Sequence, residues 1–222
     1  NWDGVIEECT EAIENDPTDL YLNNVEAYSL IGDAQEELGN HRLAISSYNK
    51  AIYINSEDIH SYHGRAYSKQ SIDNHKGAIK DYNIIINLDS DDDSAYGGRA
   101  WSKYIIGDYK GAIEDSNKSI SMKDNEGYVY HTRALSRYET GYKKAACLDM
   151  FKAKSLKQKD AIDYLKVGNN QGDWCREMPL IKAQAYKWTL YKSNKEVDSY
   201  VKLGGWRVDK KIRNFYIDIR SS

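Results

Sequence analysis

Eight residues return three times at a fixed distance: YHGRAYSK from Tyr62, YGGRAWSK from Tyr96 and YHTRALSR from Tyr130. Their leading tyrosines are 34 residues apart each time. A unit this short cannot bury its own apolar face, so such a chain has to stack neighbouring units into one continuous core. The second half of the unit recurs in the same phase, as HKGAIKDYNIIINL from His75, YKGAIEDSNKSISM from Tyr109 and KKAACLDMFKAKSL from Lys143. A further copy runs upstream from Tyr28 to Ile54, and a half copy, WDGVIEECTEAIENDP, spans Trp2 to Pro17. Gly39-Asn40, Asp73-Asn74, Gly107-Asp108 and Gly141-Tyr142 punctuate each unit into two helical stretches.

The residues that recur are small ones where paired helices approach and large ones between them. They are Tyr28, Ile31, Gly32, Gly39, Ala44, Tyr48 and Ala51; Tyr62, Ala66, Ala78 and Tyr82; Tyr96, Ala100, Gly107, Ala112 and Ser119; and Tyr130, Ala134, Gly141, Ala146 and Ala153. This pattern resembles the tetratricopeptide repeat family over roughly residues 1–160. The proline that usually closes a repeat stands only at Pro17, and Ser56, Ser90, Asp124 and Gln158 fill its place elsewhere. The resemblance implies a mainly α fold, a right-handed α-solenoid of stacked antiparallel helix pairs. The expected units are a half repeat at 1–18 and repeats at about 25–58, 59–92, 93–126 and 127–160. A degenerate capping segment follows at 161–178. At 179–222 the β-branched and aromatic runs, with Phe215, Ile217 and Ile219 alternating, point to a small C-terminal element. A β-hairpin or small antiparallel sheet is expected there, and a helix from Leu180 to Tyr191 is the rival.

The family usually carries a leucine-like residue where Arg65, Arg99 and Arg133 stand, and the first complete copy does so with Ile31. Sixteen residues after each arginine comes an aspartate, Asp81, Asp115 and Asp149, whereas sixteen after Ile31 comes Ser47. Arginine and aspartate occur together and vanish together. An arginine fork at a half-buried helix interface needs such a carboxylate, so three structural Arg–Asp pairs are expected.

Composition removes other possibilities. With 31 Lys+Arg against 34 Asp+Glu there is no global basic signal for nucleic acid. The charge is uneven, since residues from Ala161 onward carry twelve Lys/Arg and seven Asp/Glu. The tail's Lys202, Arg207, Lys210, Lys211 and Arg213, with Trp206, Phe215 and Tyr216, are read as solvated strand faces before a nucleic-acid surface. Cys9, Cys147 and Cys175 are too few for a disulfide framework and are read as free thiols. No phosphate loop, nucleophile elbow or paired-histidine motif is present, so a non-catalytic protein with no cofactor is expected. His60, His63 and His131 lack an evident carboxylate or thiol to complete a metal site. The acidic run around Asp91 lacks the glycine and terminal glutamate of a calcium loop and reads as a helix-capping turn. There is no run of about 18 apolar residues for a membrane span. The compartment is open: cytoplasmic is slightly favoured, and exported or periplasmic follows if an upstream signal is removed.

By the resemblance, the first helix of each repeat lines a concave groove. Transferred slot by slot, it holds His60, His63, Gly64, Tyr67 and Gln70, then Gly97, Gly98, Trp101, Tyr104 and Ile105, then Tyr128, His131, Thr132, Leu135 and Tyr138. Glu26, Asp33, Glu36 and Glu37 form an acidic entrance. The glycines are expected to leave space between the rings, and aromatic anchors in a concavity favour protein binding. The expected function is a scaffold binding a peptide or protein segment, and the acidic entrance suits one with basic and apolar residues. The lysines, asparagines and arginine by which some members of that family clamp a chaperone's C-terminal carboxylate are replaced here by Ser29, Asp33, Gly64, Ser94 and Gly98, so such a clamp is not expected. Two other readings stay open. One is a self-assembling homo-oligomer joined through the unpaired first helix, where Ile6, Cys9 and Ile13 would be exposed in a fragment of a longer protein. The other is an accessory domain of a larger enzyme or signalling protein.

Overall fold

A computed structural model describes residues 1–15, 23–166 and Cys175. The expected capping segment beyond Lys166, apart from Cys175, and the C-terminal element at 179–222 lie outside the described residues. The described chain forms helices α1 (Trp2–Asn15), α2 (Asn23–Glu37), α3 (His41–Ile54), α4 (Ile59–Ser71), α5 (His75–Leu88), α6 (Asp93–Ile105), α7 (Tyr109–Met122), α8 (Gly127–Glu139), α9 (Lys143–Ser155) and α10 (Lys159–Lys166).

Each helix packs on the next in sequence, and α2, α4, α6 and α8 also pack on one another. Helices α2, α4, α6 and α8 therefore form one inner layer, with α3, α5, α7 and α9 outside it. Short turns make each pair antiparallel, and one left-handed residue recurs in those turns at the repeat period. It is Gly39 (φ 75°), Asp73 (φ 61°), Gly107 (φ 84°) and Gly141 (φ 87°). Glycine takes this conformation without steric cost, whereas Asp73 relies on the tolerance of short polar side chains. Asp58, Asn74, Asp92 and Asp108 then cap α4, α5, α6 and α7 by accepting from the backbone N–H of Ser61, Gly77, Ala95 and Gly111.

The core sits between the two layers. Ala44, Ala66, Ala78, Ala100, Ala112, Ala134 and Ala146 are completely buried and let the backbones approach. Tyr62, Tyr82 and Ile85 fill the centre of one cluster, and Tyr130, Met150 and Cys147 the centre of the last. Cys147 is joined to Cys175 by a disulfide, with Cα atoms 5.3 Å apart, so only Cys9 is a free thiol. This corrects the reading of three free thiols: both partners are buried in the last cluster although 28 residues separate them. The stripe on α1 is also less bare than expected. Ile6, Cys9 and Ile13 are half-buried, since α1 packs against α2, yet no residue of α1 is fully buried.

Candidate functional site

The recurring arginines lie between the layers. Arg65 donates from Nε and Nη2 to both oxygens of Asp81 at 3.0 and 2.7 Å, a bidentate fork. Arg99 meets Asp115 at 2.8 and 2.7 Å, and Arg133 meets Asp149 at the same distances. Each arginine also reaches backward from Nη1 to an asparagine on the preceding outer helix: Asn49 at 2.6 Å, Asn83 at 2.7 Å and Asn117 at 2.7 Å. A second cation, one helical turn on, closes on each aspartate: Lys69 at 2.6 Å, Lys103 at 2.8 Å and Arg137 at 2.6 Å. The guanidinium carbons stand 5.1–5.2 Å from the rings of Tyr62, Tyr96 and Tyr130. The first complete repeat replaces the three charged members with neutral groups: Ile31 is buried, and Ser47 donates to Gln35 at 2.8 Å. These arginines brace three helices each and do not face the groove.

On the inner layer, polar side chains stitch one helix to the next. Ser29 meets Ser61 at 2.8 Å, Ser68 donates to Glu36 at 3.2 Å, and Gln70 donates to the carbonyl of Gly98 and to Ser102 at 2.9 and 2.8 Å. His60 bridges from α4 to Asp33 of α2 at 3.0 Å, and His63 from α4 to Asp92, the cap of α6, at 2.7 Å. Tyr48 also donates to Asp33 at 2.8 Å. Half-burial pushes the Asp33 carboxyl up, but the bonds from His60 and Tyr48 and the His60 charge outweigh it and hold it below 3.8. The same bond holds the His60 imidazole above 6.5, against the opposing effect of burial.

The glycines do not leave the expected open space between the groove rings. A Cβ on Gly32 or Gly64 would strike the ring of Tyr48, one on Gly98 the ring of Tyr82, and one on Gly97 the hydroxyl of Tyr128. Tyr48 and Tyr82 come from the outer helices and wedge between inner ones, and the glycines are their seats.

Of the residues assigned to the groove, Tyr67 is 53% exposed, and His60 and Glu37 are exposed. Trp101, Tyr104 and Tyr138 are half-buried. Trp101 contacts Tyr104 with ring centroids 5.6 Å apart, and Tyr104 continues to Tyr109 at 5.8 Å. Tyr67 meets His41 edge-on at 6.4 Å. His63, Glu36 and Tyr128 are half-buried and packed against neighbours, with Tyr128 lodged on Gly97. His131 is buried, and burial lowers its pKa, with Asp160 opposing; it belongs to the packing between helices rather than to an open surface. Glu26 is exposed. Elsewhere a cleft of about 500 Å³ opens between α1, α2 and α3 and is lined by Ile13, Tyr28, Lys50 and Tyr53; none of the groove residues contributes to it. Among the described residues no group of three or more His, Cys, Asp or Glu is placed to hold a metal, and no helix is long and apolar enough to cross a membrane.

Three comparisons bear on this architecture. Residues 25–58 match the sequence model of the tetratricopeptide repeat. No curated protein matches the chain. Among solved structures, MamA is 24% identical with a TM-score of 0.63, covering 72% of this chain and 91% of its own. A tetratricopeptide repeat protein from Parabacteroides merdae is 18% identical with a TM-score of 0.65, covering 84% of this chain and 71% of its own. The first tetratricopeptide domain of Spaghetti (RPAP3), bound to the HSP90 peptide SRMEEVD, is 17% identical with a TM-score of 0.51, covering 53% of this chain and 94% of its own. The chain thus carries one sequence match to a tetratricopeptide repeat, at residues 25–58, and shares the fold of these solved structures.

Proposed function

We propose that this protein is a binding scaffold that holds a protein or peptide segment along the inner face of α2, α4, α6 and α8. The observation that carries this is the placement of Tyr67 and Trp101. They occupy one position of the repeat on consecutive inner helices, and Tyr67 keeps more than half of its surface open although aromatic surface gains from burial. Large aromatic rings with one open face are the usual anchors of an interface. The relative solved with a peptide lends the mode of binding but not the ligand. Where a carboxylate clamp would need a lysine and an asparagine, this chain has Ser29 tied to Ser61 and Asp58, and Asp33 tied to His60.

The test is selection of a randomised dodecapeptide library, displayed on phage, against the immobilised array. Clones enriched on the native protein are expected to lose about 30-fold or more in affinity on Tyr67→Ala or Trp101→Ala, in line with about 2 kcal/mol for an aromatic anchor. The same variants are expected to melt within a few degrees of the parent, because neither ring is core. Clones that bind both variants undiminished would place the binding surface elsewhere.

A further inference from the structure

The inner face is chemically graded, and the gradient specifies a partner. Helix α2 carries Glu26, Asp33, Glu36 and Glu37 and no lysine or arginine. The basic residues of the next inner helices are already engaged: Arg65 and Lys69 on Asp81, Arg99 and Lys103 on Asp115, Arg133 and Arg137 on Asp149. Among the described residues no lysine or arginine pairs with the α2 carboxylates. Glu36 receives only Ser68 Oγ at 3.2 Å and Tyr48 Oη at 3.5 Å. Half-burial raises its pKa, Ser68 opposes, and the neighbouring charges of Asp33 and Glu37 raise it further, which marks a carboxylate short of a cation. One repeat on, the same position is Gln70, whose amide donates to Gly98 and Ser102; Glu36 has no such donor to offer.

Along the repeat period, Asp33 is followed by Tyr67 and Trp101, and Glu36 by Gln70 and Tyr104. An incoming chain thus meets carboxylates first and aromatic rings next. Packed helices lie about 8–10 Å apart, and an extended chain rises about 3.3 Å per residue, so successive inner helices read side chains about three residues apart.

Resting on the binding reading above, we infer that the partner is an extended segment with a lysine or arginine at one end, followed at about three-residue intervals by two apolar side chains. The cation sits among Asp33, Glu36 and Glu37, the first apolar side chain lies against Tyr67, and the second against Trp101 and Tyr104. Complementary charge fixes the register and speeds encounter, while the aromatic contacts hold the complex.

The test uses the dodecapeptides selected above, on the native array, on Glu36→Gln/Glu37→Gln and on Trp101→Ala. Circular dichroism at 222 nm first checks that the isosteric double variant is folded. Selected sequences are expected to carry Lys or Arg about three positions from an apolar residue. In fluorescence anisotropy with the strongest synthetic clone, replacing that basic residue by Gln is expected to weaken binding to the native array about tenfold. The same replacement is expected to leave affinity for Glu36→Gln/Glu37→Gln unchanged, as a double-mutant cycle requires. Clones without a basic preference that still need Trp101 would overturn the charge register and leave the groove standing. Clones indifferent to Trp101 would overturn the groove itself.

Discussion

Asp115→Ser removes the acceptor shared by Arg99 and Lys103. Arg99 Nε and Nη2 lie 2.8 and 2.7 Å from the carboxylate, and Lys103 Nζ lies 2.8 Å away. The two cationic side chains keep only 16% and 20% of their surface exposed, and Asp115 only 7%. Breaking a buried pair from one side costs about 3–5 kcal/mol, because the remaining charge stays desolvated. The ring of Tyr96 and the oxygen of Asn83 keep partial hold of the guanidinium, which puts the expected loss near the lower end, about 3 kcal/mol. For a folded unit of this size that is about 6–12 °C in Tm. The protein contains its own control. The first complete repeat carries Ile31, Gln35 and Ser47 in the three corresponding places, so the triple variant Arg99→Ile/Lys103→Gln/Asp115→Ser copies a neutral solution already in use. Replacing a whole buried ion group with fitting neutral residues is often neutral, so the triple variant should lie within about 1 kcal/mol of the parent. Thermal and urea unfolding followed at 222 nm measure both. If the triple variant is as unstable as Asp115→Ser, or if the three single losses simply add, the carboxylate is not the balancing charge of a coupled group and the reasoning is wrong.

Other outcomes follow from the same geometry. His60 is held above 6.5 by Asp33, so its contribution to stability is present below 6.5 and fades as pH rises through its folded value. Asp33 is held below 3.8, so its share is lost as pH falls through its depressed value. The parent should therefore exceed His60→Gln by a few tenths of a kcal/mol near pH 5.5, a figure discounted because the imidazole is 61% exposed. The excess should vanish near pH 8.5; the charges of Asp58 and Glu36 act on His60 in the same direction as Asp33. Equal melting differences at the two pH values would refute the bridge. Gly64→Ala should lose about 1–2 kcal/mol, since overpacking against the rigid Tyr48 ring outweighs about 1 kcal/mol of helix propensity gained. On a Tyr48→Leu background the same change should be neutral or stabilising, and a stabilising Gly64→Ala in the parent protein would show the ring yields.

The repeat was legible in the sequence because stacking forces identical neighbours into identical environments, so the 34-residue phase carries through from Tyr62 to Tyr130. The forward spacing from Arg99 to Asp115 could be read for the same reason. The backward one, to Asn83, was equally periodic and was missed because asparagine is common on exposed helix faces. Lys103 was missed as an ordinary surface lysine. Gly64 and Gly98 were misread, since a missing side chain looks like free space until the helix opposite is shown to fill it with Tyr48 and Tyr82. The link between Cys147 and Cys175 follows no repeat period and left no signal to find. His131 shares its position in the repeat with the half-exposed His63, yet it is buried, because burial depends on the neighbouring helix and not on the slot alone.

The arginine brace has a direction. Each guanidinium grips its own repeat through the aspartate and the previous one through the asparagine, and the first three full units each bring an asparagine, Asn49, Asn83 and Asn117, for the unit that comes next. A duplicated unit dropped between two existing ones would find a hand to take on one side and offer one on the other. Growth of the array by copying thus needs no new invention, except beside the Ile31 unit, which can be held by its successor and cannot hold its predecessor in the same way, and after the last full unit, where Phe151 stands in the asparagine's place.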